Sequence, residues 1–232
     1  MRNLTKKSLI LIAMVTLLSS LNAEPLHQFN VKSGKIVYEH KKFKTKMSYK
    51  YINGKEESTR EVIPYVDTRE NYYWTNYGDV VFREVYQVSK FGGKLLPKPV
   101  KKFEQLFKDD KRYYYNVKKQ KASYDPWREK EACLKKAESL DDRGCFSVYY
   151  PKMEEKGEEV IAGKSAQGYK ESMGTDIYLW KGLNLKEQNF SFNNTETKRY
   201  NIEREMVAVE IDTNTTIDPQ IFNPKWLNQF SQ

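Results

Sequence analysis

Histidine and cysteine are scarce in this chain, two of each among 232 residues, and that scarcity removes most catalytic classes at once. His27 and His40 stand apart, so neither an HExxH helix nor a paired-His metal spacing can be written. A Ser-His-Asp or Cys-His constellation would have to recruit one of these two, and no nucleophile elbow accompanies them. Gly163-Lys164-Ser165 has the ending of a phosphate loop, but Gly157 lies one residue too far upstream and Glu158-Glu159 would repel phosphate. Acidic residues are plentiful, yet no two fall in a pattern that names a glycosidase-like pair. The expectation is therefore no catalytic residue, no metal ligand, no cofactor and no enzyme activity.

Long apolar runs are also missing, with one exception at the start. Arg2, Lys6 and Lys7 precede the run Leu9–Leu18, which only Thr16 interrupts, and Ser19-Ser20-Leu21-Asn22-Ala23 then supplies small residues before Glu24-Pro25. That order of charge, apolar run and small residues predicts a secretory signal peptide over 1–23, cleaved after Ala23. The run is too short for the ~20 residues of a bilayer span. The residue after the cleavage point is Glu24 and not a cysteine, so no lipid attachment is expected there. Residues 24–232 hold no apolar stretch of spanning length, so a soluble periplasmic chain folded as one domain is expected.

The formal net charge is +9, part of it carried by the three basic residues of the leader. This moderate excess, together with export, excludes nucleic acid and leaves anionic headgroups, wall polymers or simple solubility as its use. Peripheral membrane contact fits the same charge. Aromatic residues reach 14%, with 17 Tyr, 11 Phe and 4 Trp, and suit half-buried strands or ligand-lining faces. In an oxidising compartment Cys133 and Cys145 read as a disulfide, worth about 3 kcal/mol on the chain-entropy model. No CxxC or CxxCH motif offers another use.

Period-two patterning dominates what remains. Phe43, Thr45, Met47, Tyr49 and Tyr51 alternate with Lys42, Lys44, Lys46, Ser48 and Lys50, which predicts a half-buried strand with one apolar and one basic face. Asn53-Gly54 signals a tight hairpin. Ser33–Glu39 reads as an opening strand. Further strands are expected at Glu61–Val66, Asn71–Trp74, Val80–Val88, Phe103–Phe107, Arg112–Val117, Lys121–Tyr124, Cys145–Tyr150, Val160–Ile161, Ser165–Tyr169, Asp176–Trp180, Leu183–Lys186 and Arg204–Asp212. Lys152–Glu159 and Asn193–Thr197 read as polar loops. One main helix is predicted over Trp127–Leu140, with Asp125 as N-cap and Pro126 at its first position. Ile217–Phe222 reads as a short terminal turn. About ten strands and this helix predict a mainly β (α+β) fold, a curved antiparallel sheet with a helix packed on it.

Two surface features carry competing uses. The lysine face of Lys42–Lys50 either docks on anionic lipid or keeps an edge strand from pairing with its like. Asn189 and Asn214 each sit in an N-x-S/T acceptor pattern with an acidic residue two positions earlier, so both are candidate glycosylation sites.

Ser33–Glu39, the turn Tyr73-Trp74-Thr75-Asn76-Tyr77-Gly78 and the hairpin Ile177-Tyr178-Leu179-Trp180-Lys181-Gly182-Leu183-Asn184-Leu185-Lys186 together resemble a group of small exported bacterial domains. These domains are similar to the periplasmic lipoprotein-carrier fold, a half-barrel sheet whose concave apolar face is covered by helices. The resemblance implies a fold, and no functional residue transfers with it. The leading expectation is a periplasmic binding protein that holds a lipid or other amphipath against the concave sheet. Met47, Tyr49, Tyr51, Tyr113, Tyr115, Trp180 and Val209 are its candidate lining. The alternative is a non-enzymatic envelope scaffold or sensor subunit that binds a partner protein.

Overall fold

The computed structural model describes residues 27–53, 55–88, 90–91, 94–128, 133, 143–149, 152–171, 174–192 and 200–230. The predicted signal peptide, most of the predicted helix and the loop Asn193–Thr197 lie outside them. The strands are β1 (Gly34–Ile52), β2 (Lys55–Thr75), β3 (Val80–Gln87), β4 (Lys90–Phe91), β5 (Lys94–Leu95), β6 (Val100–Lys108), β7 (Lys111–Asn116), β8 (Lys121–Pro126), β9 (Glu154–Ile161), β10 (Lys164–Glu171), β11 (Thr175–Trp180), β12 (Leu183–Phe192) and β13 (Tyr200–Thr213). Strands β4 and β5 pair only with each other. The rest form a curved, open, antiparallel 11-stranded sheet in the order β8-β7-β6-β3-β2-β1-β13-β12-β11-β10-β9. The first and last strands therefore meet in the middle, and the chain passes from the edge β8 to the edge β9 through residues 127–153.

One face of the sheet is covered by the segment before β1. Phe29 and Val31 are buried with Ile36, Tyr38, Trp74, Val81, Leu183 and Leu185. The Trp74 indole N–H donates to the Val31 carbonyl at 3.0 Å, so the ring satisfies its polar atom while burying its apolar body. Gly34 opens β1 because this ring lies against it: a Cβ there would stand 2.4 Å from the Trp74 ring and 2.5 Å from the Asp212 carbonyl. Trp127 packs on Phe107 of the same face, with ring centroids 5.1 Å apart.

The opposite face is covered by the C-terminal tail. Tyr73, Phe82, Leu106, Tyr113 and Tyr124 stand in one row across β2, β3, β6, β7 and β8, and register neighbours share a face. Phe222 and Trp226, from two short 3-10 turns, bury themselves against Phe82 and Leu106. The Asp218 carboxylate accepts from the Gln220 N–H at 2.9 Å and starts the first turn, as predicted for Ile217–Phe222.

Several expectations need correction. The predicted strands 33–39 and 42–51 are one uninterrupted β1, and 61–66 and 71–74 belong to one β2. Lys42–Tyr51 alternates as predicted, yet its apolar side is largely exposed, because no element among the described residues covers it. Asp125 and Pro126 end β8 instead of capping a helix: the Arg112 guanidinium grips the Asp125 carboxylate at 3.0 and 2.7 Å, which holds the residue in the sheet. Of the described residues of the predicted helix, Trp127 is not helical, whereas Arg128 and Cys133 are. Cys145–Tyr150 is not a strand. Phe146–Tyr149 is a helical turn, where the Ser147 hydroxyl and N–H both donate to the Gly144 carbonyl and Phe146 packs against Tyr169, Ile177 and Leu179. The predicted loop 152–159 is largely β9, pairing with β10.

Among the described residues no helix is long and apolar enough to cross a membrane.

Candidate functional site

The longest local feature is the hairpin of β1 and β2. Pairing of β1 with β13 ends at Lys42–Arg204, and pairing of β2 with β3 starts at Thr68–Gln87. Strands β1 and β2 continue together to Ile52–Lys55. Residues 43–67 thus leave the sheet as a two-stranded ribbon, turned at Asn53, whose φ of 51° is the left-handed conformation that asparagine tolerates.

The register sorts its side chains by face. Phe43, Thr45, Met47, Tyr49 and Tyr51 stand opposite Pro64, Val62, Arg60, Ser58 and Glu56. Lys44, Lys46 and Lys50 lie on the other face, opposite Ile63, Glu61 and Glu57. Met47 is 44% exposed, Tyr49 61% and Tyr51 76%, with Ile52, Val62 and Ile63 also exposed. A two-stranded hairpin with no covering layer is marginal in water, and a contiguous exposed apolar row marks an interaction surface.

At the base of the ribbon lies a polar network. Glu70 is only 2% exposed, and Arg83 grips its carboxylate with two hydrogen bonds, of 2.7 and 2.8 Å. His40 shares a 3.2 Å hydrogen bond with the same carboxylate, and Arg83 also donates to Gln105 at 3.0 Å. Burial pushes the Glu70 carboxyl upward, but the Arg83 charge and the bonds from His40 and Arg83 outweigh it and hold the group at about 2. Burial alone would lower the Arg83 guanidinium, and Glu70 more than offsets that. Tyr38 and Tyr72 flank the pair, and burial raises both phenols well above their usual value. The arrangement is a buried ion pair whose two partners satisfy each other's hydrogen bonds.

A cavity of about 420 Å³ opens beside His40, lined by Lys42, Asp67, Thr68, Arg204 and Glu205 among others. Lys42 pairs with Asp67 at 2.8 Å and Lys41 with Glu205 at 3.0 Å. Its walls are charged and internally paired, unlike the apolar lining that an acyl chain needs. Among the described residues no cluster of His, Cys, Asp and Glu is arranged to hold a metal.

The seven candidate lining residues do not form one surface. Met47, Tyr49 and Tyr51 stand on the exposed ribbon. Tyr113 and Tyr115 lie beneath the tail, Tyr115 stacked on Trp226 at 5.5 Å and Tyr113 against Phe230 at 5.4 Å. Trp180 sits between the Lys164 and Lys181 ammonium groups, 5.0 and 5.3 Å from its ring centre. Val209 is 47% exposed. Cys133 and Cys145 are bonded to each other and buried. Asn189 lies within β12, where its amide donates to Glu187 and its oxygen accepts from Thr175. Asn214 is exposed at the turn after β13. Sequence reading missed the Glu70–Arg83–His40 network, since nothing in the spacing of 40, 70 and 83 announces a meeting. It predicted a strand at Glu61–Val66 but did not place Val62 and Pro64 opposite the apolar row, although that register follows from Asn53-Gly54 once the hairpin is drawn out.

No family model matches the chain, and no curated protein matches it. Solved structures are similar in part, three of them as follows. MucB in complex with MucA(peri) is 12% identical, covers 84% of this chain and 55% of its own, and has a TM-score of 0.41. The MucA/MucB complex of Pseudomonas aeruginosa is 11% identical, with coverages of 81% and 55% and a TM-score of 0.38. MucB alone is 11% identical, with coverages of 82% and 56% and a TM-score of 0.40. The chain spans about half the length of the solved structures it matches. At these scores the likeness bears on neither ligand nor partner.

Proposed function

We propose that this chain is a periplasmic, non-enzymatic binding module whose docking arm is the β1–β2 ribbon and whose ligand is another protein. The carrying observation is the apolar row Phe43, Met47, Tyr49, Tyr51 and Val62, held out on a ribbon that contributes little to the chain's own core. Interfaces are enriched in Tyr, Phe and Met, and these residue types make up most of the row. Export is supported by the leader's charge and apolar pattern and by the Cys133–Cys145 disulfide. The lipid-holding alternative has less support: its candidate lining is dispersed, and the cavity beside His40 is lined by paired charges.

The test is a photo-crosslinking amino acid placed at Tyr51 in the native host, with a control at Asp110 in the β6–β7 turn. The expected result is one reproducible protein adduct at 51 and none at 110. Lipid-sized adducts alone, or equal labelling at both positions, would overturn the proposal.

A further inference from the structure

Resting on that reading of the ribbon, we infer that the outer edge of β1 from Phe43 to Ile52 accepts an acidic, extended segment of the partner as an added strand. Beyond Lys42 the described pairing of β1 is with β2 alone. Its other edge presents backbone donors and acceptors in the row that strand addition uses.

Charge selects what is allowed to pair there. Lys44, Lys46 and Lys50 lie in this stretch, with Lys41 and Lys42 at its base, and no Asp or Glu occurs between Lys41 and Asn53. Lys42, Lys44, Lys46 and Lys50 share one face at strand period. Acidic residues at alternate positions of an incoming strand would stand beside them, and opposite charges across a strand pair attract. Strand β2 shows the same chemistry on the inner side, where Glu61 and Glu57 stand opposite Lys46 and Lys50. The other face offers Phe43, Met47, Tyr49 and Tyr51 to the partner's alternate apolar side chains.

The same lysines disfavour a second copy of β1, because like charges would then face each other. A second copy's β2 carries Glu56, Glu57 and Glu61 but also Lys55 and Arg60. Such a β1-to-β2 contact is heterologous and would propagate into open chains. The free edge of β2 has this same mixed charge and no selectivity of its own, which makes it an internal control.

The experiment uses the disulfide-bonded mature protein and an acetylated octapeptide alternating Glu with Val, against one alternating Lys with Val. Hydrogen exchange should slow at least tenfold at β1 amides between 43 and 52, with no change in the tail. The double reversal Lys44→Glu/Lys46→Glu should weaken the acidic peptide at least tenfold and admit the basic one. Equal affinity for both peptides, protection on β2 instead of β1, or concentration-dependent polymers without peptide would overturn the inference. So would binding to phosphatidylglycerol vesicles with no peptide binding. If the crosslink at 51 survives the charge reversal, the ribbon remains the docking arm and only strand addition fails. If wild-type protein gives no crosslink at 51, the ribbon reading itself fails.

Discussion

Glu70 and Arg83 form a buried, doubly hydrogen-bonded ion pair. Removing one member of a buried ion pair strands the other, at a cost of about 3–5 kcal/mol. Arg83→Met should therefore lower the urea midpoint sharply, while Glu70→Met/Arg83→Met, which leaves no unpaired charge, should recover most of the loss. Failure of the double variant to recover would show that His40 and Gln105 depend on the pair. The acid response follows from the same group. The folded carboxyl sits at about 2 against an ordinary value of 4.5, so its contribution is fully present above pH 4.5 and is lost as pH falls toward 2. The difference is about 3 kcal/mol. Wild type and Glu70→Gln should converge in urea stability over that window, and parallel curves would contradict the assignment. None of this was legible beforehand. Residues 40, 70, 83 and 105 are distant in sequence, and only strand register brings them together.

At the scale of elements, the ribbon and the tail make opposite predictions. Replacing residues 46–61 with Asn-Gly joins Thr45 to Val62, which already face each other. Because this segment is exposed on both faces, folding stability should change by no more than about 0.5 kcal/mol, measured by calorimetry. A loss of several degrees would make the ribbon part of the cooperative fold. In the tail, Trp226 is buried, stacks on Tyr115 and donates to Glu104. Trp226→Ala should cost about 3–5 kcal/mol and expose the Phe82–Leu106 face to a hydrophobic dye. The alternation of 42–51 was plain in the sequence, and so was the terminal turn at 217–222. That the first apolar stripe stays in water while the second is covered was not, since periodicity reports faces and not what lies over them.

Over the whole molecule, residues 127–153 carry the chain from edge β8 to edge β9, and the Cys133–Cys145 disulfide closes a loop within that crossing. Reduction should cost about 3 kcal/mol, read as a lower thermal midpoint in dithiothreitol with the strand signal retained below it. An unchanged midpoint would mean the crossing is held by Trp127 and its neighbours alone. The sequence by itself determined the local matters: period-two strands and the pairing of its two cysteines. These are local because side-chain alternation and residue counts need no partner. Tertiary structure alone decided that β13 lies beside β1 and departs at Lys42–Arg204, that Glu70 meets Arg83 and His40, and that the ribbon's apolar row faces water. Burial and pairing are properties of what packs against a strand, and the residues that pack here come from the far ends of the chain.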